Sequence, residues 1–181
     1  MSWKKVLIVV VVLLGCLAGI YIYVSAQELE EVEVVYTVDG DTLVVRKGEE
    51  QFTVRLIGVD TPESKNCAIN ECTIEGENAA EYTKEYFQDI KIVYLEYDRG
   101  RYDKYGRTLA YVWLRNDANT RSFTDFRKYC YNAIVLENTS CVAKYYSPNG
   151  KHRKWLEDIE QLKNAHYNTV KPSLTDGFQA L

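Results

Sequence analysis

From Glu31 onward, apolar and polar positions alternate along the chain. Val32, Val34, Tyr36 and Val38 fall on every second residue, the period of a strand that buries one face. Asp39-Gly40-Asp41 interrupts the alternation, and Leu43 and Val45 resume it. Lys47-Gly48-Glu49 has the residues of a hairpin turn, after which Phe52, Val54 and Leu56 make a third strand. That strand runs into Arg55-Leu56-Ile57-Gly58-Val59-Asp60-Thr61-Pro62-Glu63, apolar in its middle and charged at both ends. A long irregular stretch follows. Helix-forming composition then appears between Gly76 and Phe87, where Ala79, Tyr82 and Tyr86 can share a face. Two more strands are expected, one through Val93, Leu95 and Tyr97 and one from Thr108 to Leu114. A polar turn from Asp98 to Gly106 separates them. Helices are expected from Phe123 to Tyr131 and between Lys151 and Tyr167, where Trp155, Ile159 and Leu162 recur at helical spacing.

Five short strands, one inserted helix and two terminal helices predict an α+β chain: a small β-barrel with three α-helices packed on it. The OB-fold is the best-known five-stranded solution of this kind. The first 26 residues fall outside the pattern. Lys4 and Lys5 precede an uncharged run of 19 residues, Val6 to Val24, which reads as a signal peptide or an N-terminal membrane anchor. The length favours an anchor, whereas Val24-Ser25-Ala26 offers the small residues a signal peptidase needs. Either form leaves the positive end inside and the domain outside the cytoplasm, secreted or held at the membrane. Residues 27–170 make the expected domain and residues 171–181 a loose tail.

Composition changes this picture in two places. At 181 residues the chain supports one domain with a core. Its net charge is −4, and without the two leader lysines 20 basic residues face 26 acidic ones, net −6. Such a domain has no general attraction for a polyanion, so any nucleic acid must be held by local cations. Four cysteines lie outside the leader, and an even count in an exported chain reads as disulfides. Of the three pairings, Cys67 with Cys72 and Cys130 with Cys141 is the short-range one and the one expected. The spacings are poor for zinc. His152 and His166 have no motif around them and read as surface residues.

The candidate chemistry is Asp41, Arg55, Asp60, Thr61, Glu63 and Arg107. Each alone has an ordinary reading as a turn carboxylate, a capped strand end or a snorkelling arginine. Together and in order they say more. Val38-Asp39-Gly40-Asp41-Thr42, Arg55 to Glu63, and Asp103-Lys104-Tyr105-Gly106-Arg107-Thr108-Leu109-Ala110-Tyr111 resemble the signatures of the staphylococcal nuclease (thermonuclease) family. The resemblance runs from Val32 to Tyr167.

It implies an OB-type barrel with three helices and an enzyme that uses Ca²⁺ to hydrolyse DNA and RNA, leaving 3′-phosphate ends; the single domain is expected to be a monomer. Carried over by position, Asp41 and Asp60 would give carboxylates to Ca²⁺, beside the Thr61 carbonyl, an all-oxygen set suited to a hard cation. Glu63 would position or deprotonate the attacking water. Arg55 and Arg107 would grip the scissile phosphate with bidentate forks. Lys104 and Tyr105 match positions that contact the nucleotide's terminal phosphate and ring, and Tyr146 matches one of two stacking tyrosines. The other falls at Lys144, a departure from the family, and Leu136 to Val142 looks like an insertion. The competing class is a non-catalytic module of the same barrel, binding nucleic acid or protein at the cell surface. Such modules characteristically lose the metal carboxylates and arginines, and all five charged side chains of the set are present here.

Overall fold

The computed structural model describes residue 15, residues 29–62 and residues 73–170, with side chains to residue 167. The rest of the leader, Glu63, Cys67, Cys72 and the tail lie outside the described residues. Strands β1 (Glu30–Asp39), β2 (Thr42–Lys47) and β3 (Glu50–Leu56) form a meander, as the alternation predicts. Two-residue β4 (Val59–Asp60) follows, then helix α1 (Ile74–Tyr86), β5 (Ile92–Glu96) and β6 (Thr108–Trp113). The barrel closes in the order β1-β2-β3-β6-β5. Its β3–β6 join is parallel, with Val54 opposite Thr108 and Leu56 opposite Ala110. Helices α2 (Phe123–Tyr129) and α3 (Tyr131–Asn138), strand β7 (Val142–Ala143) and helix α4 (Arg153–Val170) complete the chain, and β7 pairs with β4 outside the barrel. Among the described residues no helix is long and apolar enough to cross a membrane.

The core is the inward face of the barrel, with Leu43, Val45, Val54, Leu56, Val93 and Leu95 buried. One strand departs from its predicted period. Irregularities in β1 between Val34 and Tyr36, and again between Thr37 and Asp39, shift its register, and Tyr36 faces solvent. A bulge adds a residue, which turns every later side chain to the other face.

The helix expected to run to Tyr131 ends at Tyr129, because Cys130 is extended (φ −95°, ψ 119°) and bridges to Trp113 of β6. Unpredicted α3 then buries Tyr131, Asn132, Ala133, Val135 and Leu136. A helix covered on most sides has no polar stripe, so it shows no period to read. Among the described residues the fold thus has four helices where three were expected. This arrangement also corrects one expected disulfide: Cys130 and Cys141 are both free thiols. The eight-residue α3 between them spans about 12 Å, well beyond the Cα separation a disulfide tolerates. Cys130 Sγ lies 3.7 Å from Asn132 Oδ1, whereas Cys141 Sγ lies 3.8 Å from Thr61 Oγ1.

His152 is not at the surface. It is buried against Trp155, ring centroids 4.7 Å apart, and its Nε2 lies 3.0 Å from Glu96 Oε2. Glu96, wholly buried, also accepts from Trp113 Nε1 at 2.7 Å and pairs with Lys151. Burial pushes the Glu96 carboxyl up, but the bonds and charges of His152 and Lys151 outweigh it and hold the group below its ordinary 4.5. A carboxylate with a depressed folded pKa stabilises above its unfolded pKa and loses that contribution as pH falls through the folded one. Urea unfolding of wild type and Glu96→Gln from pH 7 to pH 3 should therefore show Glu96→Gln less stable at neutral pH. The difference should narrow below about pH 4.5. A pH-independent difference would assign the effect to packing.

Candidate active site

Strand register sets the first half of the site. Thr42 pairs with Arg55 across β2 and β3, and the Leu56 N–H donates to the Asp41 carbonyl at 2.9 Å. Asp41, at the β1–β2 turn, is only 1% exposed. Its Oδ1 accepts from the Thr42 hydroxyl at 2.9 Å and pairs with Arg55 Nη1, while its Oδ2 accepts the Thr61 N–H at 3.1 Å. Gly40 permits this approach, since a Cβ there would lie 2.7 Å from Thr61 Cγ2. From α1, Thr83 Oγ1 lies 3.1 Å from the Gly40 carbonyl and tethers the same turn.

Gly58 brings the second carboxylate back. Its φ of +74° reverses the chain after β3, in a conformation costly to any residue with a Cβ, and a Cβ would also meet Leu156 Cδ1 at 2.7 Å. The returning strand β4 pairs Asp60 with Val142 of β7 and sets Asp60 Oδ1 2.9 Å from Arg55 Nη2. Asp60 Oδ2 takes an ion pair from Lys144 Nζ at 2.7 Å. A single guanidinium therefore touches both Asp41 and Asp60. Two carboxylates so close, one of them buried, form an oxygen-only donor set that fits a hard divalent cation. Among the described residues no three metal-ligating side chains cluster, so the remaining ligands would be backbone, water and substrate oxygens.

The parallel β3–β6 join delivers the second arginine. Arg107 directly precedes Thr108, the partner of Val54. Asp103 aims it: Oδ2 accepts from Arg107 Nε and pairs with Nη2, both at 2.7 Å, while Oδ1 accepts the backbone N–H groups of Tyr105 and Arg107 at 2.9 Å. Burial raises the Asp103 carboxyl, yet these bonds hold it below the usual carboxylate range. Arg55 is pushed below the ordinary arginine value, first by burial and then by the like charge of Arg107. Two guanidiniums that repel across a cleft favour an anion between them.

That cleft, about 630 Å³, brings together Asp41, Arg55, Asp60, Thr61, Lys104, Tyr105, Arg107 and Tyr146. Tyr105 and Tyr146 present exposed rings beside it, with Lys104 Nζ 4.8 Å from the Tyr105 ring centre. Glu63 lies outside the described residues, and Cys130 and Cys141 play no part in the cleft. Three contributors escaped the sequence reading. Asp103 could have been found from its four-residue spacing to Arg107. Lys144 gave no signal as a partner of Asp60, being 84 residues away. Asn132 gave none either; fully buried, it accepts the Val112 N–H at 2.9 Å and donates to the Ile57 carbonyl at 2.9 Å, which pins the turn before Gly58.

A five-stranded barrel with two carboxylates and two converging arginines in one cleft makes a site suited to gripping and cleaving a phosphodiester. Residues 53–168 match the model of the staphylococcal nuclease homologue family. The chain is 36% identical over 131 residues to the thermonuclease of Staphylococcus hyicus, covering 71% of this chain and 68% of that protein. With the thermonuclease of Staphylococcus intermedius it shares 37% over 126 residues, 68% and 66% of the two chains. The SPbeta prophage-derived endonuclease YokF of Bacillus subtilis is 36% identical over 137 residues, covering 75% of this chain and 42% of that longer protein. The chain belongs to the staphylococcal nuclease family. It spans about two thirds of each thermonuclease and less than half of the Bacillus endonuclease.

Proposed function

We propose that the protein is an exported, Ca²⁺-dependent nuclease that cleaves DNA and RNA with little sequence preference and leaves 3′-phosphate ends. The observation that carries the reading is the convergence of Arg55 and Arg107 beside the carboxylates of Asp41 and Asp60. Export rests on the leader alone, and the monomer on the single-domain reading.

Asp41 and Asp60, with the Thr61 carbonyl, would hold the ion, which supplies positive charge against the phosphate and the charge that builds on it. Every other role falls to the chain. Arg55 and Arg107 bind the non-bridging phosphate oxygens and stabilise the transition state, while Asp103 keeps the Arg107 fork from turning away. Glu63 aligns a water and takes its proton as the new P–O bond forms. The P–O5′ bond breaks, the 5′ oxygen leaves and takes up a proton from solvent, and the phosphate stays on the 3′ oxygen. Tyr105 and Tyr146 offer stacking faces, which accept any base and so read no sequence. Lys104 supplies a cation to a neighbouring phosphate.

Degradation of plasmid and of structured RNA by the purified domain should require Ca²⁺ and stop with chelator. Folded protein that cuts equally well in chelator, or not at all with Ca²⁺, overturns the proposal. Glu63→Ala should lose rate while Ca²⁺ titration shows affinity largely kept. Lost metal binding would make Glu63 a ligand.

A further inference from the structure

Both oxygens of Asp60 carry a cation: Oδ1 faces Arg55 Nη2 at 2.9 Å and Oδ2 faces Lys144 Nζ at 2.7 Å. A divalent ion entering at that carboxylate competes with both for its oxygens. The two cations differ in how firmly they are held. The Arg55 side chain is 17% exposed, is also paired to buried Asp41, and reaches the Val59 carbonyl at 3.4 Å. The Lys144 side chain is 50% exposed and, among the described residues, pairs with no second carboxylate. An exposed ammonium on a flexible stem is the cheaper one to displace. Once displaced it stays in the cleft, because Lys144 follows β7 directly and its backbone N–H is fixed to the Gly58 carbonyl at 3.2 Å. Within its reach is the exposed ring of Tyr146, 5.7 Å from Nζ.

We propose that Lys144 is an internal placeholder for the metal, a positioning residue that neutralises Asp60 in the metal-free enzyme and is handed to a substrate phosphate when the metal enters. The exchange couples metal and nucleic acid. Metal binding frees a cation for the phosphate backbone, and a bound backbone gives Lys144 a better partner than Asp60. By linkage each ligand then tightens the other. This inference rests on the nuclease reading of the cleft.

The test is a thermodynamic cycle on the full chain carrying Glu63→Gln to suppress cleavage, with and without Lys144→Met, which keeps the stem and removes the charge. Ca²⁺ titration calorimetry without nucleic acid should show Lys144→Met binding the ion roughly two- to fivefold more tightly, the range an exposed ion pair is worth. Fluorescence anisotropy with a short single-stranded oligonucleotide should show equal affinities in chelator. With saturating Ca²⁺, Lys144→Met should bind several-fold more weakly, with a salt slope smaller by about 0.7, one phosphate contact on a single strand. Equal weakening with and without Ca²⁺ would make Lys144 a plain surface cation and overturn the handover. So would unchanged or weaker Ca²⁺ binding. Cleavage by the unsubstituted enzyme, measured alongside, tests the nuclease reading separately.

Discussion

Arg55→Lys and Arg107→Lys should each lower turnover by on the order of 10²-fold or more, since an ammonium cannot reproduce a planar two-point grip on a developing dianion. The two substitutions fail for different reasons. Arg55 uses separate nitrogens for Asp41 and Asp60, so a lysine there meets one carboxylate and leaves the other carboxylate without its guanidinium. Arg107 is aimed through Nε and Nη2, both on Asp103, and a lysine cannot be held on one edge while offering the other. Asp103→Asn should therefore lower the rate by a smaller factor, with Arg107 present but less firmly oriented. Turnover on a defined oligonucleotide, with folding checked by circular dichroism, reads all three. Wild-type turnover in either lysine variant would show that the phosphate is gripped elsewhere.

Asn132→Leu should be strongly damaging although it lies outside the cleft, costing about 2 kcal/mol or more from at least two buried backbone groups left unpaired at about 1–3 kcal/mol each. The side chain is nearly isosteric, so lost volume does not confuse the result. The amide spans two β6 backbone groups and the Ile57 carbonyl, including a longer 3.3 Å contact to Ala110. Its loss loosens the turn that returns Asp60 toward Arg55. Urea denaturation should show the lowered midpoint. Activity per folded molecule should fall as well, which a stability defect confined to the far side of the barrel would not cause. A loss below about 1 kcal/mol would mean that water replaces the amide.

What could be read in advance follows from where information sits along the chain. Val32, Val34, Leu43, Val45, Val54 and Leu56 announce their strands because each sheet face repeats every two residues. The cleft residues Asp41, Arg55, Asp60 and Arg107 are legible because each sits within a short signature at a strand end. Tyr36 was misplaced because a bulge is a change of backbone path that leaves composition untouched. On α4, Ile159 is buried and Trp155 packs against the core as the helical spacing predicts; Leu156 joins them, while Leu162 is half exposed. Strands β4 and β7, two residues each, are too short to show any period, yet they place Asp60 and Lys144 together. Glu96, His152 and Asn132 were missed for a common reason. A buried polar group is recognisable only through its partners, and those lie 56 residues away for Glu96 and His152 and 75 for Asn132 and Ile57.

The parallel join between β3 and β6 has a consequence for the order of events during synthesis. Asp41 and Arg55 come into register as soon as the first two hairpins form, from contacts local in sequence. Arg107 cannot join them until a loop of more than fifty residues closes on β3, and closing a long loop is a slow, entropically costly step. A growing or truncated chain that stops short of β6 therefore holds half a phosphate grip and no cleft. Hydrolytic competence arrives late, once β6 and then β7 are in place, which keeps a nuclease inert until its barrel is finished.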